Sequence, residues 1–293
     1  MKILLIGKGG QVGWELQRSL SLLGEVHARD IEDGWNLAEG EALIAKLREI
    51  APQLIVNAAA YTAVDKAEAD DTLARAINAT APALLAAEAA RTGALLVHYS
   101  TDYVYDGSGD QARDENAATN PLSVYGASKL AGDQAIMASG CAHLILRTSW
   151  VYAARGGNFA KTMLKLATER EQLKVIADQI GAPTGADLLA DLAAHMIRAT
   201  LADPKLSGLY HATASGETNW HAYATFVIEW ARRQGRAIKV QPDQVLAIPT
   251  SDYPTPARRP LNSRLDCRKL ERSFGLKLPH WQLGVERMLA EIL

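Results

Sequence analysis

Cysteine is almost missing from this chain: Cys141 and Cys267 are the only two among 293 residues. Two thiols so far apart make neither a disulfide framework nor a zinc knuckle, and such usage fits a reducing cytosol. No sign of charge prevails, with 31 Lys and Arg against 33 Asp and Glu and a formal net charge of -2. An overall positive field that would hold a nucleic-acid backbone or an anionic membrane is therefore excluded. Long hydrophobic runs are lacking too. The N-terminal run Ile3–Ile6 is too short for a signal peptide or a membrane span, so a cytoplasmic protein is expected. No repeat or low-complexity tract is visible. What is present, 48% hydrophobic and 22% charged residues, is the composition of an ordinary globular protein long enough for one large domain or two modest ones.

Apolar runs of strand length at Ile3–Ile6, Glu25–Ala28, Gln53–Val56, Ala94–His98 and Ala142–Leu146 alternate with helical patterns at about 11–23, 39–50, 64–91 and 122–139. Strands of continuous rather than alternating hydrophobicity, separated by helices, predict a doubly wound α/β fold with a parallel sheet buried on both faces. This Rossmann-type domain is expected to span residues 1–150. A smaller C-terminal α/β lobe is expected over 151–293, with 173–185 and 205–220 available to join the first domain. Pro249, Pro254, Pro256 and Pro260 keep the segment 248–260 extended or turn-like.

The first strand runs directly into Gly7-Lys8-Gly9-Gly10-Gln11-Val12-Gly13. Glycines at 7, 10 and 13 give a tight turn, close approach of backbone to a diphosphate, and close helix packing beside a positive helix N-terminus. Val12 stands where the commonest G-x-G-x-x-G spacing would place glycine. Asp30, at the end of the second strand, is placed to accept hydrogen bonds from the adenine ribose and favours NADH, whereas Arg29 and Lys8 favour the extra phosphate of NADPH. Use of both cofactors is expected. Small residues after the third strand, Asn57-Ala58-Ala59-Ala60-Tyr61-Thr62, allow a flat cofactor to lie against the backbone at the carboxyl edge of the sheet.

The fourth strand ends in Ser100-Thr101-Asp102-Tyr103, and Tyr125-Gly126-Ala127-Ser128-Lys129 follows. On a helix Tyr125 and Lys129 share a face. A neighbouring ammonium is expected to lower the tyrosine pKa toward working pH, as a proton donor requires, with the Thr101 hydroxyl bonding the same substrate oxygen.

In this order, the glycine turn, Thr101 and the Tyr125/Lys129 pair resemble the extended short-chain dehydrogenase/reductase family. The likeness narrows to its nucleotide-sugar reductases through Gly10–Leu16, Val56–Asp65, Ser100–Tyr105, Arg147–Tyr152, Asp178–Thr184 and Pro256–Pro260, which together span nearly the whole chain. The resemblance implies reduction of the C4 carbonyl of dTDP-4-dehydro-L-rhamnose to dTDP-L-rhamnose by NADPH or NADH, with a nucleotide sugar as partner and a homodimeric assembly. By the same resemblance Gly7, Gly10, Gln11, Val12, Asp30, Asn36, Leu37, Ala60, Tyr61, Thr62, Tyr125 and Lys129 meet the cofactor. Thr101, Asp102 and Trp150 face the sugar nucleotide, and Mg2+ is implied with Glu15 and Asp187 as candidate ligands. Arg258 and Arg259 are candidates for a diphosphate clamp, because guanidinium matches phosphate oxygens bidentately. Related nucleotide-sugar dehydratases carry glutamate where Tyr103 stands, which argues here against elimination. A sugar-nucleotide 4-epimerase and a non-catalytic NADP-binding regulatory subunit are the alternatives.

Overall fold

The computed structural model describes residues 1–293. Its centre is a six-stranded, wholly parallel sheet of β1 (Lys2–Ile6), β2 (Glu25–Arg29), β3 (Leu54–Asn57), β4 (Leu95–Thr101), β5 (His143–Thr148) and the strand Gly208–His211. From one edge the order is Gly208–His211, β5, β4, β3, β1, β2. The strands are apolar throughout because both faces are covered. Ile3 and Leu5 point to one side, against Leu16 and Leu20 of helix α1 (Gln11–Leu20) and against Leu189, Ala193 and Ile197 of the helix Ala186–Ala202. Leu4 and Ile6 point to the other side, among Leu43, Leu47, Leu85 and Ile136. The helix Ala186–Ala202 and the strand Gly208–His211 thus return from the second half of the sequence to complete the first domain.

The remaining C-terminal elements have their own cores. Helices Phe159–Glu169, Trp220–Arg233 and Trp281–Ile292 enclose Tyr223, Val227, Trp281 and Val285. The expected strand Leu173–Ile176 forms, but it pairs in parallel with Val245–Ile248 and leaves the large sheet alone.

One expected helix is broken. The pattern over 64–91 folds as Val64–Ala67, Asp71–Arg75, a π turn at Ala76–Thr80 and Ala81–Thr92. The wider turn aims the buried Asn78 amide inward, where its oxygen accepts from the Tyr61 backbone N–H at 2.8 Å. Its nitrogen donates to the Tyr61 carbonyl and the Ser128 hydroxyl, each at 3.1 Å. π turns occur where a side chain must be re-aimed at a functional region, and this one braces the Tyr61 segment.

Below the carboxyl edge of the sheet, Arg147 of β5 bonds Asp133 at 3.0 Å and the Tyr105 hydroxyl at 2.9 Å. Ser100 donates to Asp133, and Tyr105 meets His211 at 2.8 Å. Arg147 and Asp133 are both buried. Removing one partner of such a pair strands the other charge out of water. Arg147→Met is expected to cost about 3–5 kcal/mol of stability in urea denaturation; a loss below about 1 kcal/mol, the scale of a surface pair, would contradict this role.

Candidate functional site

The strand order reverses between β1 and β3, and open α/β sheets bind ligands at the carboxyl ends of the strands at such a switch point. Gly7 sits there with φ +93°, and a Cβ on it would lie 2.7 Å from the Ala59 nitrogen. A Cβ on Gly13 would lie 1.8 Å from the Gly7 carbonyl oxygen. These two positions therefore admit glycine alone. Gly10 caps α1 without any side-chain hydrogen bond to its first turn, so the N–H groups of that turn are available to an anion. The cradle fits a dinucleotide diphosphate, with Gln11 and Val12 on the turn itself.

Asp30 lies where the sequence placed it. One oxygen of its carboxylate accepts from the Gly9 N–H at 2.8 Å and the other from the Ile31 N–H at 2.7 Å. Lys8 is ion-paired with Asp33 at 2.6 Å, which holds the Asp33 carboxyl below its ordinary range. Ala60, Tyr61 and Thr62 follow β3, and the Tyr61 hydroxyl donates to Asp70. The Leu37 side chain is a core residue beside Trp35 and Leu43, and Asn36 closes a local turn to Glu39 and Ala38. Neither side chain bonds to the glycine turn.

Thr101 ends β4, where its hydroxyl donates to Asp102 at 3.1 Å and accepts from the Tyr103 N–H at 3.2 Å. Burial pushes the Asp102 carboxyl up to about 6, with the Ser263 and Thr101 hydroxyls opposing. Ser123 caps the helix Val124–Ala138, accepting from the Gly126 N–H. Gly126 itself lets the helix press onto the Tyr103 carbonyl, 2.2 Å from where a Cβ would stand. This brings Tyr125 beside Thr101, its ring edge-on to Tyr103 with centroids 5.5 Å apart.

The expected tuning of Tyr125 by Lys129 is not what the geometry gives. Lys129 is buried, and its Nζ donates to the Tyr99 carbonyl oxygen at 2.6 Å and lies 3.0 Å from His98 Nε2. Burial pushes Tyr125 up to about 12, and the group that lowers it is the Thr101 hydroxyl. Burial brings Lys129 down to about 8, against the attraction of Asp133.

A cavity of about 630 Å3 opens beside Tyr103, lined among others by Asp65, Arg170, Lys174, Trp220, Thr250 and Arg259. Arg259 holds Asp65 through two bonds, at 3.1 and 2.8 Å. Of the two predicted clamp arginines only Arg259 lines the cavity; Arg258 is exposed and does not. Trp150 does not line it either. Its backbone is left-handed at φ 49°, and its ring stacks on Trp220 at 3.6 Å and presses on Gly181, so it is Trp220 that presents an aromatic face there. Arg170, Lys174 and Trp220 carry no motif, and sequence reasoning missed them.

Burial raises the Glu15 carboxyl, Arg18 opposes it, and the neighbouring Asp187 and Glu291 charges add to the rise. Glu15 lies 3.7 Å from Arg18 and Asp187 lies 3.6 Å from Arg287, and no three His, Cys, Asp or Glu side chains converge to hold a metal ion. No step below passes through Mg2+.

A sheet reversing at a glycine cradle, with Thr, Tyr and Lys gathered on its carboxyl edge, defines an extended short-chain dehydrogenase/reductase. Within that class the chain belongs to the family described as RmlD substrate binding domain, whose model matches residues 1–293. It is 54% identical to the dTDP-4-dehydrorhamnose reductase of Salmonella typhimurium strain LT2, over 100% of this chain and 98% of that protein. The dTDP-4-dehydrorhamnose reductase of Escherichia coli strain K12 is likewise 54% identical with the same coverage. The structure is similar to a dTDP-4-dehydrorhamnose reductase of Clostridium acetobutylicum, with TM-score 0.90 and 35% identity over 100% of this chain and 99% of that one. It is also similar to a dTDP-4-dehydrorhamnose reductase of Bacillus anthracis solved in complex with NADP, with TM-score 0.87 and 33% identity over 99% of each chain.

If Tyr125 is the proton donor, Tyr125→Phe removes one hydroxyl and leaves the ring contact with Tyr103. Turnover is expected to fall ~10²–10⁴-fold, the usual worth of a general acid, with the thermal midpoint and cofactor affinity retained. Near wild-type turnover would remove Tyr125 from the chemistry.

Proposed function

We propose that this protein reduces the C4 carbonyl of dTDP-4-dehydro-L-rhamnose to dTDP-L-rhamnose, using NADPH and also NADH. The observation that carries the reading is Tyr125, bonded to the Thr101 hydroxyl and edge-on to Tyr103, with Tyr103 lining a cation-bearing cavity of about 630 Å3. The relatives named above carry the same activity in their names. Tyr103 at the position where dehydratases hold an acid supports plain reduction.

The reduced nicotinamide supplies the hydride that bonds to C4. As the π bond of C=O opens toward oxygen, negative charge grows there, and Tyr125 donates its proton to complete the alcohol. Thr101 turns its hydroxyl from Asp102 toward the same oxygen, stabilising the developing charge. Lys129 offers an N–H to the cofactor ribose from the buried floor. Gly7, Gly10, Gln11 and Val12 hold the cofactor diphosphate on the α1 N-terminus, and Asp30 takes the adenine ribose. Arg259 holds the substrate diphosphate, aided by Arg170 and Lys174, while Trp220 offers the flat face. The same reading expects a cytoplasmic homodimer, in keeping with free Cys141 and Cys267 and with helices none of which is long and apolar enough to cross a membrane.

Steady-state oxidation of NADPH and NADH with dTDP-4-dehydro-L-rhamnose tests the proposal. Stoichiometric cofactor oxidation with formation of dTDP-L-rhamnose is expected. Epimerised sugar without net oxidation, or no turnover with any 4-keto nucleotide sugar, would overturn it. For the clamp, Arg259→Ala should weaken dTDP binding roughly ten- to hundredfold, since a hydrogen bond to a charged group contributes about 1.5–3 kcal/mol. Arg258→Ala should leave it near wild type. Isothermal titration that finds the larger loss in Arg258→Ala would reverse the assignment.

A further inference from the structure

The proposed reaction gives no role to a short segment by which the C-terminal lobe touches the glycine cradle. It is Ala153-Ala154-Arg155-Gly156-Gly157-Asn158, which leaves the strand Val151–Tyr152 and feeds the helix Phe159–Glu169. Asn158 caps that helix, its side-chain oxygen accepting from the Lys161 N–H at 3.1 Å and its Nδ2 donating to the Ala153 carbonyl at 2.7 Å. The Lys161 ammonium reaches back and donates to the carbonyls of Ala154 at 2.6 Å and Gly156 at 2.8 Å. A loop with two adjacent glycines is thereby held in one shape by the helix it feeds.

So held, the segment lies against the first turn of α1. Asn158 Nδ2 stands 3.4 Å from the Gln11 side-chain oxygen, and a Cβ on Gly156 would stand 3.5 Å from Gln11 Cγ. Next to Gly156, Arg155 places its guanidinium carbon 4.0 Å from the centre of the Trp14 ring. Gln11 and Trp14 are three positions apart and share one side of α1. Gln11 is the first residue of that helix, whose opening N–H groups have no side-chain cap. Arg155 is exposed, and the Trp14 ring is the only partner its guanidinium has. Contact through the guanidinium face leaves the N–H groups, which lie in its plane, free to donate. A cation without an acceptor beside bare N–H groups at a helix start suits an anion that both can reach.

We propose that Arg155, seated on Trp14, is a cofactor-retaining residue: it donates to the dinucleotide diphosphate from the C-terminal lobe while the α1 N–H groups hold the same diphosphate from the first domain. The inference rests on the proposed dinucleotide for its ligand. A diphosphate held from both lobes is released only when the segment lifts from Trp14. The contact therefore acts on the dissociation rate of the cofactor.

Isothermal titration with NADPH, ADP-ribose and 2′-AMP tests the proposal. Arg155→Ala is expected to weaken NADPH and ADP-ribose alike, roughly five- to fiftyfold, as for a charged hydrogen bond screened at an exposed position. Stopped-flow release of NADPH should quicken by a similar factor. 2′-AMP has a ribose and a phosphate but no diphosphate, so variant and wild type should bind it equally. Trp14→Leu should cost less than Arg155→Ala, and the double variant no more than Arg155→Ala alone, because the ring acts through the arginine. Additive losses would overturn the seating on Trp14. NADPH affinity of Arg155→Ala within about twofold of wild type, or an equal loss for 2′-AMP, would overturn the diphosphate contact. A wild type that binds neither NADPH nor ADP-ribose would overturn the cofactor reading and the inference with it, whereas tight wild-type binding with an indifferent Arg155→Ala would overturn the inference alone.

Discussion

Everything at the carboxyl edge of this sheet depends on one close backbone approach, that of the Gly7 turn to the segment after β3. With φ +93° and 2.7 Å between a hypothetical Cβ and the Ala59 nitrogen, the chain can turn there only as glycine. The turn aims the free N–H groups of α1 toward the point where the strand order reverses. It also seats Ala58 and Ala59 against the cradle, so the Asn57 amide just behind them is registered to the same point. Cofactor cradle and buried floor are thereby fixed by a single contact.

Charge burial explains why the chemistry stands still. Tyr125, Lys129 and Asp133 occupy one helix face at steps of four residues, and each meets a side chain of β4 or β5. Thr101 and His98 belong to β4, and Arg147 belongs to β5. A buried charge without its partner costs several kcal/mol, so the Asp133–Arg147 pair resists a shift in helix register that would misplace the phenol. The nucleotide is proposed to enter the cavity beside Tyr103, where Arg259 already holds Asp65. A diphosphate entering there meets a guanidinium whose orientation is set by the Asp65 carboxylate and by the proline-restricted segment around it.

Much of the fold was legible in the sequence because it rests on local signals. The five N-terminal strands announce themselves as continuous apolar runs, and the glycine turn by its spacing. Tyr125 and Lys129 were placed on one face by helical periodicity alone. What escaped has long-range causes. The π turn at Ala76–Thr80 follows from Asn78 reaching Tyr61 and Ser128, contacts no window of the sequence contains. The same holds for Lys129, whose helical spacing points it at Tyr125 while strand β4 offers it a carbonyl and an imidazole deeper in the floor. Trp150 and Trp220 are 70 positions apart, and only the folded lobe shows that the second covers the first. Arg258 and Arg259 were indistinguishable as neighbours until Asp65 selected one of them.

In the proposed reaction hydride passes from a dinucleotide on the glycine cradle to a sugar carbonyl held at Tyr125. Its most direct test uses NADPH deuterated at the nicotinamide carbon, in ordinary water, with dTDP-4-dehydro-L-rhamnose as substrate. Magnetic resonance of the product should find deuterium at sugar C4 and nowhere else, at one deuteron per cofactor oxidised on the transferring face. Solvent hydrogen at C4, or label lost to water, would contradict direct transfer and with it the arrangement of the site described here.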